Sequence, residues 1–311
     1  MKAFHLLLLF ILPTVLAAQD SAHVNTDSTK SAKGSWSIII RKGMETKDDK
    51  DKPANFSMTW PQDGKPNSYL VNTAVGLNYN RVYTGRAILD ITSSFAYNRN
   101  NLVKKEQNNL KGVLSGNLLY GRSNDAENTH NFISFFSTLQ YMRNKIDTSS
   151  SFFSTAYFTW VKKGKHGFAM TNYGNLGNSG FLLYISPSAG FEYQSRFDVK
   201  KPDTKGSVTR LFLGGDVRLA FKDGPPPKHQ LGNKRFEFIF TYAGRNELGS
   251  NLPEKEGYIY LLKTEFDYFP IKDSDDFSIG LSYNDGQDPI AAIEKQKYWQ
   301  LAFKFKHDFN F

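Results

Sequence analysis

The chain of 311 residues contains no cysteine. That excludes disulfide staples, thiol chemistry and a lipid-modified N-terminal cysteine, so stability must come from burial and backbone pairing. Long hydrophobic runs are scarce as well. The one run, Leu6 to Leu12 continuing through Pro13-Thr14-Val15-Leu16, is too short for a membrane-spanning helix, which needs about 20 apolar residues. No stretch of sustained helical period appears, and neither a GxGxxG nor a Walker-type loop is present. The charge of +9 is not gathered into a patch, because Lys and Arg are interleaved with Asp and Glu. This spread argues against nucleic-acid binding and for solvated loops attracted to anionic lipid headgroups.

The N-terminal run has the form of an export signal. Lys2 precedes it and the small residues Ala17 and Ala18 follow it, so residues 1–18 are expected to be a cleaved signal peptide. Residues 19–33, rich in Ser, Thr, Asp and Lys, are expected to form a disordered periplasmic lead-in. The remainder, 34–311, reads as one folded unit without a compositional break.

From Gly34 onward the text is strand, turn, strand. Tyr69, Val71, Thr73, Val75, Leu77 and Tyr79 alternate with Asn72, Ala74, Gly76, Asn78 and Asn80, and similar segments recur. Strands are expected near 35–43, 68–80, 86–98, 111–122, 131–143, 152–162, 181–197, 208–222, 234–245, 257–269 and 276–285, with one more at the C-terminus. The short apolar piece Phe56 to Trp60 is either a strand of its own or part of a long first loop, and the loop is favoured. The Gly-rich stretch 163–180 is either a functional insertion or conceals a short strand. Pro225-Pro226-Pro227 cannot join a ladder and marks a stiff turn. Twelve strands, an even number, return both chain ends to one side.

The last strand carries the most specific signal. Trp299, Leu301, Phe303, Phe305, Phe309 and Phe311 share one face, interrupted only by His307, while Gln300, Lys304, Lys306, Asp308 and Asn310 share the other. This pattern resembles the C-terminal assembly signal of bacterial outer-membrane β-barrels. The resemblance implies a place in the outer membrane, contact with its lipid, and recognition by the barrel assembly machinery through Trp299, Phe303, Phe305, Phe309 and Phe311. The Asn- and Lys-rich loops and abundant Phe and Tyr also resemble, in composition alone, uncharacterised outer-membrane proteins of Bacteroidota.

The expected fold is therefore all-β, a transmembrane antiparallel up-and-down β-barrel of about twelve strands. Mean hydropathy of −0.48 is compatible with it, because each strand shows lipid only every second residue and the loops are polar. The inward positions then mix both signs: Arg41, Asp90, Arg210, Asp216, Arg218, Arg235, Glu237, Lys263, Glu265, Asp267, Lys304 and Lys306. Such a lining points to a narrow channel or transporter for small polar solutes. The alternative is a structural, adhesive or assembly barrel that engages a soluble partner through its loops, its lumenal charges paired off.

A barrel lipid hydrolase, the remaining class, needs a Ser beside a His near the rim. His5 and His23 precede the barrel, His130, His166 and His229 fall in turns near the chain-end rim, and His307 lies on the lipid-facing row. No nucleophile elbow accompanies any of them. Asp273, Asp275 and Asp276 offer oxygen ligands without EF-hand spacing and read as a solvated turn. No catalytic residue, metal or cofactor is assigned.

The charges also imply a register. Placing Arg235 opposite Glu265 sets Glu237 opposite Lys263, with Phe236, Phe238 and Phe240 toward lipid, whereas slipped registers bring carboxylates together. The terminal pattern makes a separate prediction: replacing Phe309 and Phe311 by Ser blocks assembly while secretion continues. Fractionation of the double variant should show loss from the outer membrane, and ordinary membrane levels would refute the resemblance.

Overall fold

In a computed structural model of the protein, the structure describes residues 34–43, 54–61, 68–83, 87–101, 107–124, 129–146, 148–163, 173–175, 181–197, 199, 205–222, 234–253, 255–271, 274, 276–290, 293–305 and 307–310. The expected signal peptide and lead-in, together with Lys306 and Phe311, lie outside the described residues.

Alternation dictates strands almost everywhere. They are β1 Ser35–Arg41, β2 Ala54–Pro61, β3 Ser68–Tyr83, β4 Ala87–Asn100, β5 Gln107–Asn124, β6 Thr129–Asn144, β7 Ser150–Lys163 and β8 Tyr173–Asn175. The second half adds β9 Phe181–Phe197, β10 Gly206–Lys222, β11 Lys234–Ser250, β12 Tyr258–Tyr268, β13 Phe277–Asp288, β14 Ile293–Phe305 and β15 His307–Asn310. Each pairs antiparallel with its neighbours, and the path from β3 round to β14 closes through β1 and β2 into a twelve-position barrel. Within the Gly-rich stretch, β8 pairs with β9 through Tyr173–Tyr184, Gly174–Leu183 and Asn175–Leu182.

The closing seam corrects one expectation. Phe56 to Trp60 is not loop; it forms β2, between β14 and β3. Arg41 of β1 faces Ala74 on β3, and Asn55 of β2 faces Asn72. On the other flank Ile40 faces His307 and Ala54 faces Phe305. Two short ladders thus fill one ring position, and the chain leaves the line after Arg41 and rejoins it at Ala54. The charged run Lys47 to Lys52 makes the piece after it look isolated in sequence. Closure nevertheless requires partners for the backbone groups of both β3 and β14, since an unpaired edge in lipid costs several kcal/mol per group.

Sidedness is that of a membrane barrel. Phe95 is 74% exposed on the outside, and Phe56, Leu114, Phe158, Phe191, Leu213, Phe238, Phe266 and Phe303 are exposed with it. Thr92, Asn109, Lys111, Glu192 and Arg210 are buried on the inside. A soluble barrel inverts this distribution. The four tryptophans all point outward and divide between the rims. Trp36 packs at a tilt against Tyr79, with centroids 4.8 Å apart, and Trp160 lies at the same rim, where the barrel's described chain begins at β1 and ends at β15. Trp60 and Trp299 face each other across the β2–β14 ladder at the opposite rim. Amphipathic indoles belong at membrane–water interfaces. Trp299 to Phe309 spans roughly 34 Å of strand, which at a 45° tilt gives a height near the ~25 Å apolar band of such barrels.

Because Phe56 sits about midway between the rims and points outward, Phe56→Arg should destabilise the assembled barrel by about 2–4 kcal/mol. Urea unfolding of the refolded protein in lipid vesicles measures it, and a cost within roughly 0.5 kcal/mol, ordinary for a neutral surface change, would remove β2 from the lipid face.

Candidate functional site: the lumen wall

The inward rows divide the lumen into two unlike walls. From β3 to β7 the buried polar residues are neutral, among them Asn72, Thr92, Ser94, Ser115, Thr138, Gln140 and Thr155, with Lys111 as the buried cation. From β9 to β14 they are mostly charged: Glu192, Arg210, Asp216, Glu237, Arg245, Glu265, Asp267 and Lys304.

One charged cluster lies toward the rim that holds the chain ends. Glu237 is opposite Asp267, Ile239 opposite Glu265 and Thr241 opposite Lys263. The expected pairs Arg235–Glu265 and Glu237–Lys263 are therefore not formed, although Phe236, Phe238 and Phe240 do face outward. The opposed carboxylates are compensated by a cation from two strands away. Lys304 on β14 reaches over β13 to contact both Glu265 and Asp267. It crosses at Gly280, where a Cβ would collide with Asp267 Oδ1 and Lys304 Nζ. Lys263 contacts Glu265 along its own strand, and Lys234 lies 3.0 Å from Glu237. A rule that compares only directly opposed residues omits this reach across a glycine, so it overstates the cost of setting Glu237 opposite Asp267.

A second cluster lies nearer the opposite mouth. Arg245 Nε is 2.9 Å from each oxygen of Glu192, and the Tyr157 hydroxyl donates to Glu192 Oε1 at 2.6 Å. The Arg245 guanidinium lies 5.3 Å from the Phe212 ring centroid, and Phe212 packs on Tyr157 at 4.7 Å. Beside it, Arg210 binds Glu256 through Nε at 2.8 Å and Nη2 at 2.6 Å, and donates to Gln194 at 2.8 Å. Arg196 also reaches Glu256 at 2.5 Å. Glu256 belongs to the β11–β12 connection and turns its side chain inward, while Asn251, Pro253, Lys255 and Gly257 around it are exposed.

The remaining residues singled out by alternation are placed as follows. Arg41 is half-buried and donates from Nη1 to the Ile40 and His307 carbonyls at 2.8 and 3.2 Å. Asp90, also half-buried, stands between Asn80 and Asn117. Thr241 donates to Asp216, Arg218 lies 3.5 Å from Asp216, and Arg235 donates to the Pro270 carbonyl at 3.5 Å. Trp299, Phe303, Phe305 and Phe309 are exposed on the outer face. Lys111 and Arg245 were missed because they fall at the edges assumed for their strands; extending the alternation along β5 and β11 finds both. Glu256 and Ile290 sit in turns, where alternation carries no signal.

No protein-family model and no curated protein matches the chain. Among solved structures, the chain is similar to an outer-membrane channel from Pseudomonas putida F1, at 11% identity and a TM-score of 0.45, over 92% of this chain and 100% of that one. It is also similar to the transport unit of the autotransporter AIDA-I from Escherichia coli, at 10% identity and a TM-score of 0.40, over 91% and 94% of the two chains. A third is OccAB3 from Acinetobacter baumannii, at 8% identity and a TM-score of 0.28, over 89% and 100%. At these identities the likeness concerns barrel architecture and transfers no residue.

Removing the bridging cation takes from the buried Asp267 and Glu265 the partner they share, leaving Lys263 at Glu265, and breaking a buried pair of this kind costs about 3–5 kcal/mol. Lys304→Met should therefore destabilise the barrel by that order in urea titrations. Adding Glu265→Gln and Asp267→Asn should recover a large part of the loss. Equal stability of Lys304→Met and the parent would show that the contact contributes nothing.

Proposed function

We propose that the protein is an outer-membrane channel that passes small polar solutes through a narrow lumen with one charged wall and one lined mainly by amides and hydroxyls. The observation that carries this reading is the burial of Glu192, Arg210, Asp216, Arg245, Glu265, Asp267 and Lys304 along a single side of the interior. Buried ion pairs stabilise little relative to well-packed apolar side chains, because desolvation offsets their attraction. A purely structural interior therefore has small reason to hold so many. In a conducting lumen the same groups replace part of a solute's hydration shell, while the amides and hydroxyls opposite accept or donate without adding charge.

A structural or adhesive barrel is the second reading. Its support is the inward tuck of Glu256 and Ile290 at one mouth, which brings protein into the lumen. In either case the exposed aromatic row Trp299, Phe303, Phe305 and Phe309 supplies the lipid contact and the proposed recognition by the assembly machinery.

Refolded protein in planar bilayers should give discrete conductance steps. Their selectivity should shift when the charged wall is edited, for example by Asp216→Asn, which lies away from the tucked mouth. Silence of the parent and of variants that loosen that mouth, combined with binding of a soluble partner, would favour the second reading.

A further inference from the structure

We propose that the half of the lumen nearer the rim of β1 and β15 selects small anions, because its charged wall shows passing solutes cations and keeps their partner carboxylates behind them. The inference rests on the channel reading and adds to it the sign of the solute.

Three ion pairs on this wall each join an acid to a base of the same strand: Asp216 with Arg218 on β10, Glu265 with Lys263 on β12, and Glu237 with Lys234 on β11. Counted residue by residue, they cancel. Accessibility separates the two signs. The side chains of Arg218, Lys263 and Lys234 keep 16%, 16% and 17% exposure, against 2%, 5% and 9% for Asp216, Glu265 and Glu237. The cause is side-chain length on a concave wall. Lysine and arginine lay their stems along the surface and carry the charge beyond it, whereas a carboxylate on a shorter stem stays close to the sheet. The Thr241 hydroxyl donates to Asp216, and Lys304 holds Glu265 together with Lys263.

The exposed cations also succeed one another along the path. Lys263 faces Thr241, which faces Asp216, and Arg218 belongs to the next inward row toward that rim, with Ile239 and Glu265. Inward rows are two residues apart, about 6.6 Å of strand. Lys234, the first residue of β11, stands closer still to the rim. The Arg218 guanidinium lies 6.0 Å from the Tyr184 ring centroid, and Lys234 Nζ lies 5.9 Å from that of Phe269. Ring faces favour a cation in these positions. At the opposite mouth the described charges are balanced, because Arg196 and Asp288 are open to a similar degree.

A solute in this half therefore meets the positive member of each pair before the negative one. In water a unit charge at about 4 Å changes the local concentration of an ion roughly fivefold, and an opposite charge about 3 Å behind it offsets over half of that energy, leaving about twofold. A preference of this size suits conduction, which needs binding favourable enough for entry and weak enough, over several sites, for release. The solutes that fit are inorganic anions, short carboxylates and small phosphate esters.

The reversal potential of refolded protein in planar bilayers under a potassium chloride gradient reads the sign directly, since the two ions have nearly equal mobility. The parent should show an anion-to-cation permeability ratio of about two or more. Arg218→Gln/Lys263→Gln should bring that ratio to about one or below. Thr241 and Lys304 still serve the carboxylates it leaves, and unboiled gel mobility is the criterion of folding. Lys234→Gln takes its place if the double variant does not fold, and should lower the ratio in the same direction. Asp216→Asn should raise the ratio, because it removes negative charge behind Arg218. Lys297→Gln, two residues from Trp299 on the outward row of β14, should leave it unchanged, which separates lumenal charge from total charge. A conducting parent that prefers potassium, or folded lumenal variants with the parent's ratio, would overturn the anion preference and leave the channel reading standing. An equal loss of selectivity in Lys297→Gln would overturn it as well. Silence of the parent would overturn the channel reading and this inference with it.

Discussion

Every backbone amide and carbonyl that meets lipid must find its partner within the protein, and this requirement organises the rest of the chain. It forces the sheet to close, and closure recruits β2, a segment that looks dispensable in sequence. It also fixes where charge is tolerated. Carboxylates and guanidinium groups placed outward on these strands would face hydrocarbon, so they collect inside, where partners and water are within reach.

Inside, the charges do not pair in the pattern that strand-to-strand opposition implies. Glu237 and Asp267 are directly opposed, an arrangement that costs free energy in an isolated hairpin. Lys304 and Lys234 make it tolerable by approaching from different directions. The interior of a closed barrel is small enough for a long side chain to reach over a neighbouring strand, provided that strand has a glycine at the crossing, as at Gly280. Lumenal electrostatics here is consequently a property of the ring and not of any one hairpin.

The same geometry brings side chains from two connections into play. Glu256 and Ile290 enter the mouth from neighbouring hairpins and engage Arg210 on one wall and the Met142–Phe153 seat on the other. The interior thus carries ionised groups along one wall and, at one mouth, side chains that reach in from two connections.

Period-two alternation determined the class of fold, the strand number and the outward rows, because a strand in a two-faced environment must repeat every second residue. Trp299, Phe303, Phe305 and Phe309 were legible for that reason, as were Phe236, Phe238 and Phe240. Alternation does not determine which strand neighbours which across the seam, so the joint role of β1 and β2 emerged only from the closed ring. Nor does it reveal the β11–β12 register, in which the opposed Glu237 and Asp267 are compensated by Lys234 and by Lys304 two strands away. Arg245 and Lys111 lay within reach of the pattern at assumed strand ends, but Glu256 and Ile290 did not. Turn residues carry no periodic signal, and their partners stand far off in sequence, on walls that only the curvature of the barrel brings face to face.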